Sequence, residues 1–235
     1  MTARDSRAAP TLLNLNALDQ LRAGRLWHRL IQLVVGLLGY GAAVMMLVQS
    51  GLGAASWNVL AEGIARQSGM SFGWTTNVIA MIVLIAWIPL REMPGLGTLL
   101  NVCLVGAAAD LTAVFLPAAE TLALQIAYLV LGIVSLAFFD ALYLGAQLGA
   151  GPRDGIMTGA TRVTGQPVWR VRTCIEVIVA TTGWLLGGTV GMGTVLVALC
   201  IGPLLGVFLP RTVVRLSRPL RPVRHARESL APSAE

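Results

Sequence analysis

The chain has 235 residues, is 56% hydrophobic with a mean hydropathy of +0.75, and is only 12% charged. Soluble globular domains carry about 25% charged residues, so a water-soluble enzyme is excluded at the outset. All 17 basic residues are arginine against 11 acidic ones, and a formal charge of +6 in so apolar a chain points to a membrane protein with its arginines on the cytoplasmic side.

In chain order, residues 1–29 are expected to form a cytoplasmic N-terminal segment. Its stretch 11–29 is read either as a helix lying on the leaflet or as an arginine-bearing tail. No cleavable signal peptide is expected, because the first apolar run begins only near Leu30 and is too long for a signal core. A first group of three spans follows over residues 30–116, at Leu30–Val48, Trp74–Leu90 and Gly97–Leu116. A second group occupies residues 122–210, at Leu122–Leu144, Val171–Leu186 and Met192–Leu209. A bilayer crossing takes about 20 apolar residues, and runs without period-two alternation choose helices over a barrel. The expected fold is therefore an all-α membrane protein with six transmembrane helices. Residues 211–235 form a tail in which Arg211, Arg215, Arg218, Arg221, Arg224 and Arg227 suit anionic lipid headgroups, with nucleic acid not expected as a partner. With both termini cytoplasmic, 16 of the 17 arginines fall on the inner side and Arg66 alone outside.

A self-match at a fixed offset of 96 divides the chain. Leu52-Gly53-Ala54 recurs as Leu148-Gly149-Ala150, and Gly63, Arg66 and Gly69 recur as Gly159, Arg162 and Gly165. Gly95-x-Gly97-Thr98 recurs as Gly191-x-Gly193-Thr194, without a gap. Each copy holds three spans. Three is odd, so the second copy enters the membrane from the opposite side, which makes the repeats inverted and directs attention to a site between them. The connections 49–73 and 145–168 each carry a helix-compatible stretch, Trp57–Ser68 and Asp154–Thr164, flanked by glycine. Each is read as a short helix, re-entrant or lying at the interface.

The charges do not follow the repeat. Asp140, Arg153, Asp154, Arg172 and Glu176 stand where the first copy has Val44, Trp57, Asn58, Thr76 and Ala80. Polar groups inside spans cost about 2.5–3.5 kcal/mol each on insertion scales, which marks them as functional candidates. Gly151-Pro152-Arg153-Asp154 suits a helix start able to receive an anion, with Trp57 and Asn58 as its counterparts. These five positions, Gly151, Arg153, Asp154, Asn58 and Trp57, are the expected solute-binding residues; Asp154 as a simple helix cap is the plain alternative. Arg172 and Glu176, four apart on one helix face, are expected to pair. Together with Asp140 and Asp110 they are the expected gating or proton-coupling groups, and satisfied structural carboxylates are the alternative. Cys103, Cys174 and Cys200 lack metal-ligand spacing and are read as packing residues. No cofactor or metal is expected.

Gly51-Leu-Gly-Ala-x-x-Trp57-Asn58, Leu148-Gly-Ala-Gly-Pro-Arg-Asp154-Gly155, Arg172-x-x-x-Glu176 and the Gly-rich block ending at Thr194 resemble the YczE/YyaS/YitT group of bacterial integral membrane proteins, its YczE branch above all, over roughly residues 27–210. The resemblance implies a bacterial cytoplasmic-membrane protein without an agreed substrate. From the residues, the expected function is a secondary transporter or exporter of a small anionic or zwitterionic solute, with proton coupling. A substrate-binding subunit docking on an ATPase partner, a homo-oligomer, and an intramembrane enzyme or assembly factor stay open as alternatives. No Walker motif and no Ser/Lys dyad or His/Cys ligand set is present.

Overall fold

The computed structural model describes residue 20, residues 23–90, residues 92–214 and residue 216. Of the expected tail 211–235, residues 211–214 and 216 are described; the rest of it and the N-terminal segment before residue 20 lie outside the described residues. Eight helices follow in order: α1 (Leu26–Gln49), α2 (Ser56–Ser68), α3 (Phe72–Leu90), α4 (Leu96–Phe115), α5 (Leu122–Gly145), α6 (Pro152–Thr164), α7 (Val168–Leu185) and α8 (Met192–Thr212). There is no strand among the described residues. Five helices, α1, α3, α4, α5 and α8, are long and apolar enough to cross a membrane. Helix α7 has the length, at 18 residues, but carries Arg170, Arg172 and Glu176. Helices α2 and α6, at 13 residues each, are too short to cross.

The element bounds keep the 96-residue register. Helices α1 and α5 both run for 24 residues and start 96 apart, as do α2 and α6 with 13 residues each; α3 and α7, and α4 and α8, also start 96 apart. Contacts repeat reciprocally. Gly97 N–H donates to Leu148 O at 2.7 Å, and Gly193 N–H donates to Leu52 O at 2.8 Å. These approaches need glycine: Gly53 and Gly149 adopt φ of +101° and +122°, and a Cβ there would meet the Gly191 and Gly95 backbones.

Packing exchanges the short helices. Helix α2 lies on α7 and α6 lies on α3, so each half's short helix docks on the other half's third element. Helix α1 packs against α4 and α5, where Leu33, Leu37, Val44 and Leu47 are buried. One core cluster joins α1 and α5 to Val197 of α8; another joins Trp57 and Ala61 of α2 to Ile79, Val83 and Trp87 of α3 and to Val179 of α7.

The halves differ at one seam. Helices α3 and α4 pack closely, since a Cβ on Gly73 would strike Gly106 O and the Gly106 N–H donates to Asn77 Oδ1 at 3.1 Å. The equivalent helices α7 and α8 make no comparable seam. Trp169 and Gly202 occupy the positions of Gly73 and Gly106; Trp169 is exposed, and a Cβ on Gly202 or Gly206 would meet open space.

Candidate functional site

A cavity of about 270 Å³ lies between the halves. Equivalent positions from each copy line it in pairs: Tyr40 with Leu136, Trp57 with Arg153, Thr76 with Arg172, Ala80 with Glu176, Asn101 with Val197. The cavity thus follows the repeat, while its charge comes almost wholly from the second copy.

The starts of both short helices border it. Helix α2 begins after Ala55 and α6 after Gly151, and neither has a side-chain cap. At α2 the Asn58 and Val59 N–H groups donate to Ala55 O at 2.8 and 3.0 Å, which leaves the Ser56 and Trp57 N–H groups ahead of the helical ladder. Helix α2 has no acidic residue in its first turn, whereas α6 has Asp154. The positive end of the α6 dipole is therefore offset by its own side chain and that of α2 is not.

Arg153 leans toward α2. Its guanidinium sits 5.5 Å from the Trp57 ring centroid, with Nη2 3.4 Å from Asn58 Oδ1. Among the described residues no carboxylate comes within 4.0 Å of it. Asn58 is 1% exposed and Trp57 6%, and Asn58 Nδ2 and Trp57 Nε1 are buried donors without a partner. On the other side, the Tyr143 hydroxyl faces both Asp140 and Asp154. It would also lie 3.1 Å from a Cβ on Gly151, with Asp154 Oδ2 at 3.4 Å. On α6, outside the spanning helices, burial pushes the Asp154 carboxyl above its ordinary value, while Arg153 and Arg172 act in the opposite sense.

Of the residues singled out in the sequence, Trp57, Gly151, Arg153, Asp154, Asp140, Arg172 and Glu176 all line the cavity, and Asn58 stands directly behind it beside Arg153. Asp110 does not join them. It accepts from Ser71 Oγ at 2.5 Å and from Gly73 N–H at 2.7 Å, holding the start of α3 against α4. Arg172 and Glu176 share the cavity wall without an ion pair; the described residues hold ion pairs at Glu62–Arg66 and Glu92–Arg162. Arg170 donates to Gln166 Oε1 at 3.2 Å and stacks on Trp169. The cysteines are free, and Cys103 and Cys174 are exposed rather than packed. Sequence reasoning missed Tyr40, Tyr143, Ser56 and Asn101. Tyr40 and Tyr143 meet edge to face at 5.9 Å, and their only signal was a polar tip within an apolar run. Among the described residues no group of His, Cys, Asp and Glu is arranged to hold a metal ion.

The chain matches the model of a family described as a family of unknown function (DUF6198) over residues 27–210. It is 39% identical over 175 residues to an uncharacterized protein of Haemophilus influenzae, covering 74% of this chain and 79% of that one. It is 34% identical over 167 residues to the uncharacterized membrane protein YczE of Bacillus subtilis, covering 71% and 78%. With the uncharacterized protein YyaS of the same organism it shares 25% identity over 180 residues, covering 75% and 90%. No solved structure matches it.

Proposed function

Because the chain belongs to DUF6198, a family of unknown function, and is similar to the membrane protein YczE, its role follows from its own cavity, and we propose a secondary transporter of a small anionic or zwitterionic solute. The observation that carries this reading is a cavity lined by equivalent positions of both halves, into which Arg153, Asp154, Asp140, Arg172 and Glu176 converge. Charges cost too much inside an apolar bundle to collect there without use. In this reading α7 is a sixth span whose charges face the cavity, the halves are inverted repeats, and both termini are cytoplasmic. Helices α2 and α6 are then broken elements reaching the midplane from opposite faces. Trp57, Gly151, Arg153 and Asp154 bind the solute, with Asn58 supporting Arg153. Asp140, Arg172 and Glu176 gate it and carry the proton.

The test is flux. Purified protein reconstituted alone into liposomes is expected to accumulate solute when a pH gradient is imposed, and Asp140→Asn is expected to abolish the gradient dependence. Binding without flux, or flux only with an added ATPase, would replace the carrier with a binding subunit.

A further inference from the structure

The cavity has two chemically opposite ends. At the α2 start, every available group is a donor or a cation: the Ser56 and Trp57 N–H groups, the orphaned Trp57 Nε1, and the Arg153 guanidinium without a carboxylate partner. A helix start alone would mean little. Here the second observation is a 6%-exposed indole that borders the cavity with its N–H unsatisfied, next to a buried Asn58 amide in the same state. The unsatisfied indole N–H bordering the cavity, beside a guanidinium without a carboxylate partner, calls for an anionic acceptor. At the other end, Asp140 and Asp154 face one tyrosine hydroxyl, Tyr143. Carboxylates and a phenol oxygen call for a cation. With Glu176, the lining carries three acids against Arg153 and Arg172, so a purely anionic ligand would leave the acidic end unanswered.

We propose that the cavity takes a small zwitterionic amino-carboxylate, its carboxylate received at Ser56, Trp57 and Arg153 and its ammonium at Asp140 and Asp154. This rests on the reading of the cavity as a solute site and narrows the solute class. The repeat supplies the reason for the polarity. Trp57-Asn58 of the first copy and Arg153-Asp154 of the second are the same two positions, and only the second brings its own acid to its own helix start. One short helix therefore presents an open anion receptor and the other a closed one beside a cation receptor.

The experiment uses the full chain purified in detergent, titrated calorimetrically with glycine, β-alanine, γ-aminobutyrate and 5-aminovalerate, and with acetate, butyrate and butylammonium as half-ligands. At least one amino acid is expected to bind about 10-fold or more tightly than the carboxylate or ammonium of its own length, the order of one charge-assisted hydrogen bond. Trp57→Phe keeps the ring and removes one donor. It is expected to weaken the amino acid and butyrate alike, about 10-fold, and to leave butylammonium unchanged. Asp140→Asn is expected to weaken the amino acid and butylammonium and to spare butyrate. Arg153→Gln removes the cation without substituting the indole and is expected to weaken the same two ligands. Equal binding of butyrate and amino acid, an amino acid indifferent to Asp140→Asn, or no binding across the series would each overturn the proposal. Gradient-driven uptake of an anion lacking any amine would overturn it while upholding the carrier. Amino acid binding without flux would uphold it and remove the carrier.

Discussion

Arg29 shows how this chain treats charge away from the cavity. It is fully buried, and its guanidinium donates to Ala146 O at 2.7 Å, Gln147 O at 2.6 Å and Gln20 O at 2.5 Å. Two of these carbonyls lie just past the end of α5, where the negative end of a helix dipole welcomes a cation. Arg29→Lys keeps the charge but loses the planar fork. It is expected to lower the apparent unfolding temperature by about 5 °C or more, read by scanning fluorimetry, since about 2 kcal/mol of bonding is lost. Glu62 does comparable work on the opposite carrier of charge. Its carboxylate accepts from Thr189 N–H at 2.7 Å and Thr189 Oγ1 at 2.8 Å and pairs with Arg66 at 2.5 Å, fastening the α7–α8 connection to α2. Arg66 also donates to Gly187 O, as its counterpart Arg162 donates to Leu90 O while pairing with Glu92 at 3.0 Å. Glu62→Gln turns an acceptor into a donor facing donors. The expected result is faster hydrogen exchange of residues 187–191 with little change elsewhere. Both arginines were visible as repeat-conserving positions of the sequence; their fastening role was not, because Glu62 and Glu92 are not equivalent positions and no offset links them.

At the scale of elements, the two short-helix seams solve one packing problem in opposite ways. Val59 and Gly155 are equivalent, as are Trp87 and Gly183. In the α2–α7 seam the glycine is on the long helix, and a Cβ on Gly183 would meet Leu60 N at 2.5 Å and Val59 C at 2.6 Å. In the α6–α3 seam the glycine is on the short helix, and a Cβ on Gly155 would collide with the Trp87 ring, whose Nε1–H donates to Pro152 O at 2.9 Å. Gly155→Val alone is expected to prevent a monodisperse peak in size-exclusion chromatography. Gly155→Val with Trp87→Gly rebuilds the other seam's solution, and the pair is expected to recover more than about 1 kcal/mol of coupling relative to the singles. The helix positions were legible in the sequence because the 96-residue register and the apolar runs are local properties. Which short helix docks on which half was not legible, since it depends on this exchange of bulk between residues far apart in the chain. The same limit applies to Asp110. In sequence it is a lone acid in an apolar span, and only the approach of α3 reveals Ser71 and Gly73 as its partners.

Across the whole molecule, the charged residues that line the cavity were foreseeable, because charge is rare in this chain and most of it within the helices gathers in one copy. Tyr40 and Tyr143 were not, since a tyrosine in an apolar run reads as packing until its hydroxyl acquires neighbours. The open α7–α8 seam bears on this cavity directly. Arg172 and Glu176 line it from α7, and Thr194, Val197, Ala198 and Ile201 from α8, so the seam runs along two of its walls. Cysteines placed at Trp169 and Gly202, with Cys103, Cys174 and Cys200 replaced by serine, are expected to cross-link slowly at rest. During gradient-driven uptake they are expected to cross-link faster; an unchanged yield on turnover would mean that α7 stays where it is. Gly73 and Gly106 already display that closed contact at the equivalent place in the first copy. If the cavity is that of the proposed carrier, the closed α3–α4 seam and the open α7–α8 seam are two settings of one joint, and the halves would exchange them to reach the second face.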